Sequence, residues 1–202
     1  MGMYLELITV SDATIEQLHA DPPLVWALVS PDEPEAIAAA RAAALRPGFL
    51  ARLFGRAPAP VNGPTTLPLE PGEGSVTDLD KAWHGIHYLL TGTAWDGAPP
   101  LDALVSGGRE ITDIDVGNGA PRTLTATETR AFANALATLS EAELRGRFAP
   151  AEMMKLEIYP EIWDRDPSED DTLGYLLEYL TRLRECLAEA VAQDRGLVIM
   201  LL

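Results

Sequence analysis

Cysteine is almost missing from this sequence. One residue, Cys186, stands in 202, so no disulfide can form within the chain. Its neighbours (Leu183-Arg-Glu-Cys-Leu-Ala-Glu-Ala190) form an amphipathic helical pattern, and no second cysteine or histidine stands close by to activate the thiol. It reads as a small buried hydrophobe rather than a nucleophile. Lysine is scarce as well, with only Lys81 and Lys155. Lys and Arg together number 15 against 31 Asp and Glu, a net charge of −16. Such a surface repels phosphates, which argues against nucleic acid and against an anionic membrane. It favours encounter with a basic partner, or serves solubility alone.

Long apolar runs are also lacking. The longest, Leu197 to Leu202, is far short of the roughly 20 residues that span a bilayer. The opening Met1-Gly-Met-Tyr-Leu-Glu6 has no basic region followed by an apolar stretch, so no signal peptide is expected and the protein should be cytoplasmic. There is no GxSxG elbow, no Cys–His pairing, no HExxH, and no phosphate-binding or dinucleotide fingerprint. The reading leans away from an enzyme, and no cofactor is expected.

What is present suits a globular chain. Hydrophobic residues make up 47%, enough for a sizeable core, and one domain over residues 1–202 is expected. Residues 3–10 alternate and are β-prone. Ser11 offers an N-cap for a helix through Ile15 and Leu18, stopped at Asp21-Pro-Pro23. Residues 33–45 are alanine-rich and helical by propensity, Pro47-Gly48 interrupts them, and a short apolar piece runs from Phe49 to Phe54. From 55 to 76, prolines (58, 60, 64, 68, 71) and glycines (55, 63, 72, 74) erase all periodicity, which predicts a loop or insertion.

Asp78 then offers a cap for a helix carrying Leu79, Trp83, Ile86, Leu89 and Leu90, closed by Gly92. Leu101 to Val105 is a short apolar piece, and Arg109 to Val116 alternates like a strand. Thr125-Ala-Thr-Glu128 and Ser140-Glu-Ala-Glu143 are capping boxes opening two helices, and Pro150 fits the first turn of a third. From Asp171 to Asp194 a broad apolar stripe predicts a long helix. Gly196 should end it, and Leu197 to Leu202 should be a strand buried on both faces. Strands at both ends with helices between predict an α+β fold: a small sheet that includes the N- and C-terminal strands, packed by several helices.

Two stretches are unusual for mere core: Leu79-Asp-Lys-Ala-Trp-His-Gly-Ile-His-Tyr-Leu-Leu-Thr-Gly-Thr93 and Leu156-Glu-Ile-Tyr-Pro-Glu-Ile-Trp-Asp164. With the opening Met1-Gly-Met3, the pieces Gly107-Gly108, Asp115-Val-Gly-Asn-Gly-Ala-Pro-Arg122 and Leu144-Arg-Gly-Arg-Phe148, they resemble the YfbM-like family of small bacterial proteins. The resemblance covers about Thr77 to Leu202 and the first strand, and is weaker over 31–76. It implies an α+β fold and, because that family is a domain of unknown function, it brings no activity, ligand or catalytic residue.

His84 and His87 lie three apart, on neighbouring turns of one helix face. Two such ligands begin a zinc site, but three or four are needed, so no metal is expected. Each reads better as a histidine hydrogen-bonded on a half-buried face. The aromatics Trp83, Tyr88, Trp95, Tyr159 and Trp163 either line a pocket or simply pack. The acidic cluster Asp164, Asp166, Glu169, Asp170 and Asp171 precedes the long helix and suits its positive end.

Two functions lead, with an oligomeric structural role, suggested by the stripe on the last helix, open beside them. One is a non-enzymatic binding protein, in its sharpest form immunity-like, masking a basic protein. The other is a small-molecule binder or enzyme with a cleft between the Trp83–Tyr88 helix and the Tyr159–Trp163 segment. The candidate residues for that cleft are Trp83, His84, His87, Tyr88, Thr91, Tyr159 and Trp163.

Overall fold

The computed structural model describes residues 2–44, 64 and 66–202. The apolar runs at the two ends of the chain meet in the middle of one sheet. Strand β1 (Leu5–Val10) pairs antiparallel with β5 (Gly196–Leu201), Leu5 opposite Leu201 and Val10 opposite Gly196. Outside β1 lies β2 (Val76–Asp78). Beyond β5 lie β4 (Arg122–Leu124) and β3 (Arg109–Glu110), giving the antiparallel order β2-β1-β5-β4-β3.

Alternation along the two central strands divides the core. Leu5, Leu7, Leu197 and Ile199 face one side, where they pack with α4 (Trp83–Thr91), α5 (Ala126–Ala137) and α8 (Thr172–Ala192). Ile8, Val10, Val198 and Met200 face the other, against α1 (Asp12–Ala20) and the helical turns Pro22–Val25 and α2 (Trp26–Val29). Helix α3 (Pro34–Ala44) follows α2. Helices α6 (Glu141–Arg147) and α7 (Pro150–Lys155) complete the eight helices of the described residues. The fold is α+β, as the pattern of strands and helices predicts. The double-sided run at the C-terminus is buried on both faces because each face has its own helical layer.

Local chemistry sets most boundaries. Ser11 caps α1, both capping boxes close reciprocally, and Asp171 caps α8 by accepting from the Gly174 N–H at 2.8 Å. Gly92 (φ 75°) ends α4, and Arg147 donates to the Leu89 and Leu90 carbonyls at 3.0 and 3.1 Å, satisfying that helix end.

Several expectations need correction. Residues 76–78 are a strand rather than the end of a loop, and Asp78 caps no helix. Its Oδ1 accepts from the Asp80 N–H at 2.6 Å, the chain makes a 3-10 turn over Asp80–Ala82, and α4 starts only at Trp83. The strand expected over 109–116 stops at Glu110. Asp113 sits at φ 64°, and Asp115 Oδ1 accepts from the Gly117 and Gly119 N–H groups at 2.8 and 3.1 Å, which turns the chain back. The first helix does stop before Pro22, as expected, and residues 22–29, of which nothing was expected, resume as helical turns, because Pro22 and Pro23 sit at positions of a first turn that need no N–H donor. Gly196 does not end the long helix, which closes at Ala192. Instead it opens β5, where an added Cβ would lie 2.3 Å from the Leu124 carbonyl oxygen.

Within the proline- and glycine-rich stretch, the described end is tied down. Glu73 accepts from the Thr14 hydroxyl at 2.9 Å and the Glu70 N–H at 2.6 Å, and from the Ser11 N–H as well. The apolar piece expected at 49–54, the break at Pro47-Gly48 and residues 55–63 lie outside the described residues.

Candidate functional site

Helix α4 lies between the sheet, α8 and the 156–164 segment, so every residue from Trp83 to Leu90 is buried. That placement decides the chemistry of its histidines. His84 Nδ1 accepts from the Tyr159 N–H at 3.0 Å, and its Nε2 meets the Ala94 carbonyl at 2.7 Å. A backbone N–H can only donate and a carbonyl can only accept, so the ring is neutral with its proton on Nε2. Burial pushes its pKa down to about 4; the bond to Ala94 opposes that fall and His87 adds to it. His87 Nε2 contacts the Asp96 carbonyl at 3.1 Å, and its Nδ1 is buried without a partner among the described residues. Burial again pushes the pKa down, partly offset by the Asp96 carbonyl and by Asp102.

The two anchor carbonyls belong to residues 94 and 96, so the histidines grip the chain on either side of Trp95. Thr93 Oγ1 also donates to the Asp96 carbonyl. Trp95 itself remains 56% exposed, the most exposed large hydrophobic side chain among the described residues. The Trp83 and His84 rings stack at 4.7 Å and 7°, and Trp95 tilts against His84 at 4.4 Å. The two histidines therefore act as a brace for an exposed indole.

The 156–164 segment packs on the far side of this brace. Gly85 leaves room for it: a Cβ there would lie 2.6 Å from Leu176 Cδ2 and 2.7 Å from the Trp163 ring. The Trp163 indole N–H donates to the Ile158 carbonyl at 2.6 Å, and the Tyr159 hydroxyl accepts from the Met3 N–H at 2.9 Å. Thus the opening residues, the tryptophan–histidine helix and the tyrosine–proline segment converge on one place.

A pocket of about 240 Å³ opens over the sheet beside Trp83. Its floor is two register pairs, Leu5 with Leu201 and Ile199 with Arg122, and its walls include Trp83, Trp95 and Leu104. Arg122 donates to the Ala103 carbonyl at 3.0 Å, to the Leu104 carbonyl at 2.6 Å, and to the Gly107 carbonyl. Burial lowers its pKa to about 10, while Asp102 and Glu110 act in the opposite sense. Neither carboxylate is close enough to form an ion pair with it. The Trp83 indole N–H is buried and has no partner among the described residues.

The structure thus separates the candidate residues. Trp83 lines this pocket. His84 and His87 are wholly buried rather than half-buried, and stand behind its wall. Tyr159 stacks on Trp83 at 6.1 Å. Tyr88 is 6% exposed, and the Thr91 hydroxyl donates to the His87 carbonyl at 2.9 Å. Trp163 borders a different hollow, of about 440 Å³, with Pro150, Asp164 and Asp171. Packing fills the contact between α4 and the tyrosine–proline segment. Arg122, Leu104 and Asn118 were not among the sequence candidates. Arg122 follows a proline in a three-residue strand, where no periodicity marks it, and only the 115–122 piece of the family resemblance includes it. Among the described residues, no three His, Cys, Asp or Glu side chains are placed to hold a metal.

A family model described as a domain of unknown function (DUF1877) matches residues 1–200. Among solved structures, that of YfbM from Escherichia coli, described as a protein of unknown function, matches with a TM-score of 0.60 at 20% identity. The match covers 98% of this chain and 99% of that one, and it is a likeness of fold. No curated protein matches the chain. Among the described residues, no helix is long and apolar enough to cross a membrane.

Proposed function

This chain belongs to the DUF1877 family, YfbM-like domains of unknown function, and we propose that it is a binding protein that holds a small molecule in the pocket beside Trp83. One observation carries this reading. The pocket is walled by two indoles, one of them exposed yet braced on both sides, and an arginine with no ion-pair partner among the described residues forms part of its floor. An apolar cleft with a few fixed polar groups is the usual form of a ligand site. Binding suits the geometry better than proton transfer. Both nitrogens of His84 are engaged in hydrogen bonds to the backbone, and its pKa of about 4 leaves it neutral at neutral pH.

Native mass spectrometry of the freshly purified chain, set against its denatured mass, tests the proposal. A small-molecule adduct that vanishes on denaturation and is depleted in Trp95→Ala is the expected result. A clean mass, or an adduct that Trp95→Ala holds equally well, counts against it.

A second reading, that the chain masks a basic cytoplasmic protein in the manner of an immunity protein, draws support from charge. The net charge is −16, and at the sheet edge Glu6 stands opposite Asp78. Burial raises the Glu6 pKa, and the neighbouring Asp78 raises it further, so a cation from a partner would relieve the pair. Pull-down from lysate at low and high salt tests this: a basic protein retained only at low salt supports it, and retention of none speaks against it.

A further inference from the structure

Resting on the pocket reading above, we infer that the ligand is a small aromatic carboxylic acid, its ring against the indoles and its carboxylate on Arg122. Arg122 carries the inference. A guanidinium has five N–H donors, and here Nη1 serves two carbonyls while Nη2 serves one. The Nε–H and one Nη2–H have no acceptor among the described residues. A carboxylate with two oxygens matches a pair of guanidinium donors better than any single acceptor does. The carbonyls supply hydrogen-bond acceptors but no net negative charge, and although Asp102 and Glu110 lie near enough to favour the charged form, neither is within ion-pair distance of the guanidinium. A bound carboxylate would add the direct, charge-assisted contact that neither of these side chains makes.

The other walls define the rest of the ligand. Leu5, Leu104, Ile199 and Leu201 make the lining apolar, and Trp83 and Trp95 offer flat faces. Trp95 is held in place by the histidine bonds to residues 94 and 96, so a ring meets a wall already ordered. A volume of about 240 Å³ lies below the range of roughly 300–1,000 Å³ that suits larger ligands, which fits a single ring bearing one acid group. The net charge of −16 weighs against a dianion such as a phosphate monoester, because repulsion from the rest of the molecule grows with ligand charge.

Calorimetric titration of the full chain with benzoate, benzamide and phenyl phosphate tests the assignment, with two-dimensional NMR of the four tryptophan indole N–H signals reporting the site. Benzoate should bind at least about tenfold more tightly than benzamide, the two differing mainly in charge, and should shift the Trp83 and Trp95 signals. Phenyl phosphate should bind more weakly than benzoate. Trp95→Ala, at an exposed position, should weaken benzoate without unfolding the chain. Arg122→Gln should erase the preference for benzoate over benzamide. If Arg122→Gln fails to fold, the comparison of ligands on the unaltered chain still decides. Equal binding of benzoate and benzamide overturns the anion assignment and leaves the pocket reading standing. Tighter binding of phenyl phosphate overturns the carboxylate. Binding of neither aromatic overturns the aromatic acid, and the native mass measurement then judges the pocket by itself.

Discussion

His84 and His87 show how strongly surroundings, rather than residue type, set a role. Two histidines three apart suggest a metal or a proton relay, and His84 here spends both nitrogens on backbone groups. The consequence is a pH dependence of stability. The ordinary histidine pKa is 6.5, and in the folded chain His84 is lowered to about 4. The folded state thus binds fewer protons than the unfolded state between these values. Stability from this group is complete above pH 6.5 and is lost as pH falls toward 4, by roughly 3 kcal/mol in all. His87 is shifted in the same direction and adds to the slope. Urea denaturation at pH 7.5, 6 and 4.5 should show a falling midpoint, and His84→Gln should flatten part of that fall. An unchanged slope in the variant would remove His84 from this role. Gly85 acts at the same scale. Gly85→Ala places a methyl group against Leu176 and Trp163, and overpacking of this kind costs about 1–3 kcal/mol, despite the better helix propensity of alanine. Thermal unfolding measures it, and a stabilised variant would show that the helix can shift.

At the scale of elements, what the sequence disclosed follows the range of the interaction involved. Helix starts written in adjacent side chains were legible: Ser11 and the Thr125 and Ser140 capping boxes cap where they were expected to, and Asp171, one of the acidic cluster expected to suit the positive end of the long helix, caps it. So were β1, β5 and the long stripe of α8, since burial there repeats at a fixed period. Strands β2 and β4 were not legible. Each has three residues, too few for a period, and each exists because a central strand offers it a ladder. The candidate site divides in the same way. Trp83 and the histidines announced themselves in a compact motif, whereas Arg122 joins them through distant contacts, its cross-strand pairing with Ile199 and its bonds to the Ala103, Leu104 and Gly107 carbonyls. Gly196 illustrates the difference between a local and a distant cause. It looked like a helix terminator and is in fact the point where β5 passes against the Leu124 carbonyl. Gly196→Ala should therefore separate β4 from β5 and destabilise the chain, and because Arg122 rides on β4 it should also loosen the pocket floor. Hydrogen exchange at the Arg122–Leu124 amides would report this. Faster exchange confined to the residues around 192–196 would instead return Gly196 to a role in ending the helix.

For the molecule as a whole, the net charge of −16 acts on two properties in opposite directions. Like charges brought together by folding repel, so the compact state loses stability at low ionic strength. The surface ion pairs, such as Arg130–Asp194 and Arg182–Glu178, are exposed and contribute little each, so their screening cannot reverse that trend. Raising salt from about 10 mM to about 150 mM shortens the Debye length from roughly 30 Å to roughly 8 Å and quenches the long-range repulsion. Thermal unfolding should then occur at higher temperature as sodium chloride is added. Association with a basic protein, if that is what the acidity serves, must change the other way, because the same screening weakens attraction between partners. The pair of measurements separates the two uses of acidity. A chain whose stability rises with salt and which retains no partner at low salt keeps its charge for solubility. One that releases a basic protein over the same salt range uses its charge for recognition. A melting temperature that falls with salt would mean that local ion pairs outweigh the global field.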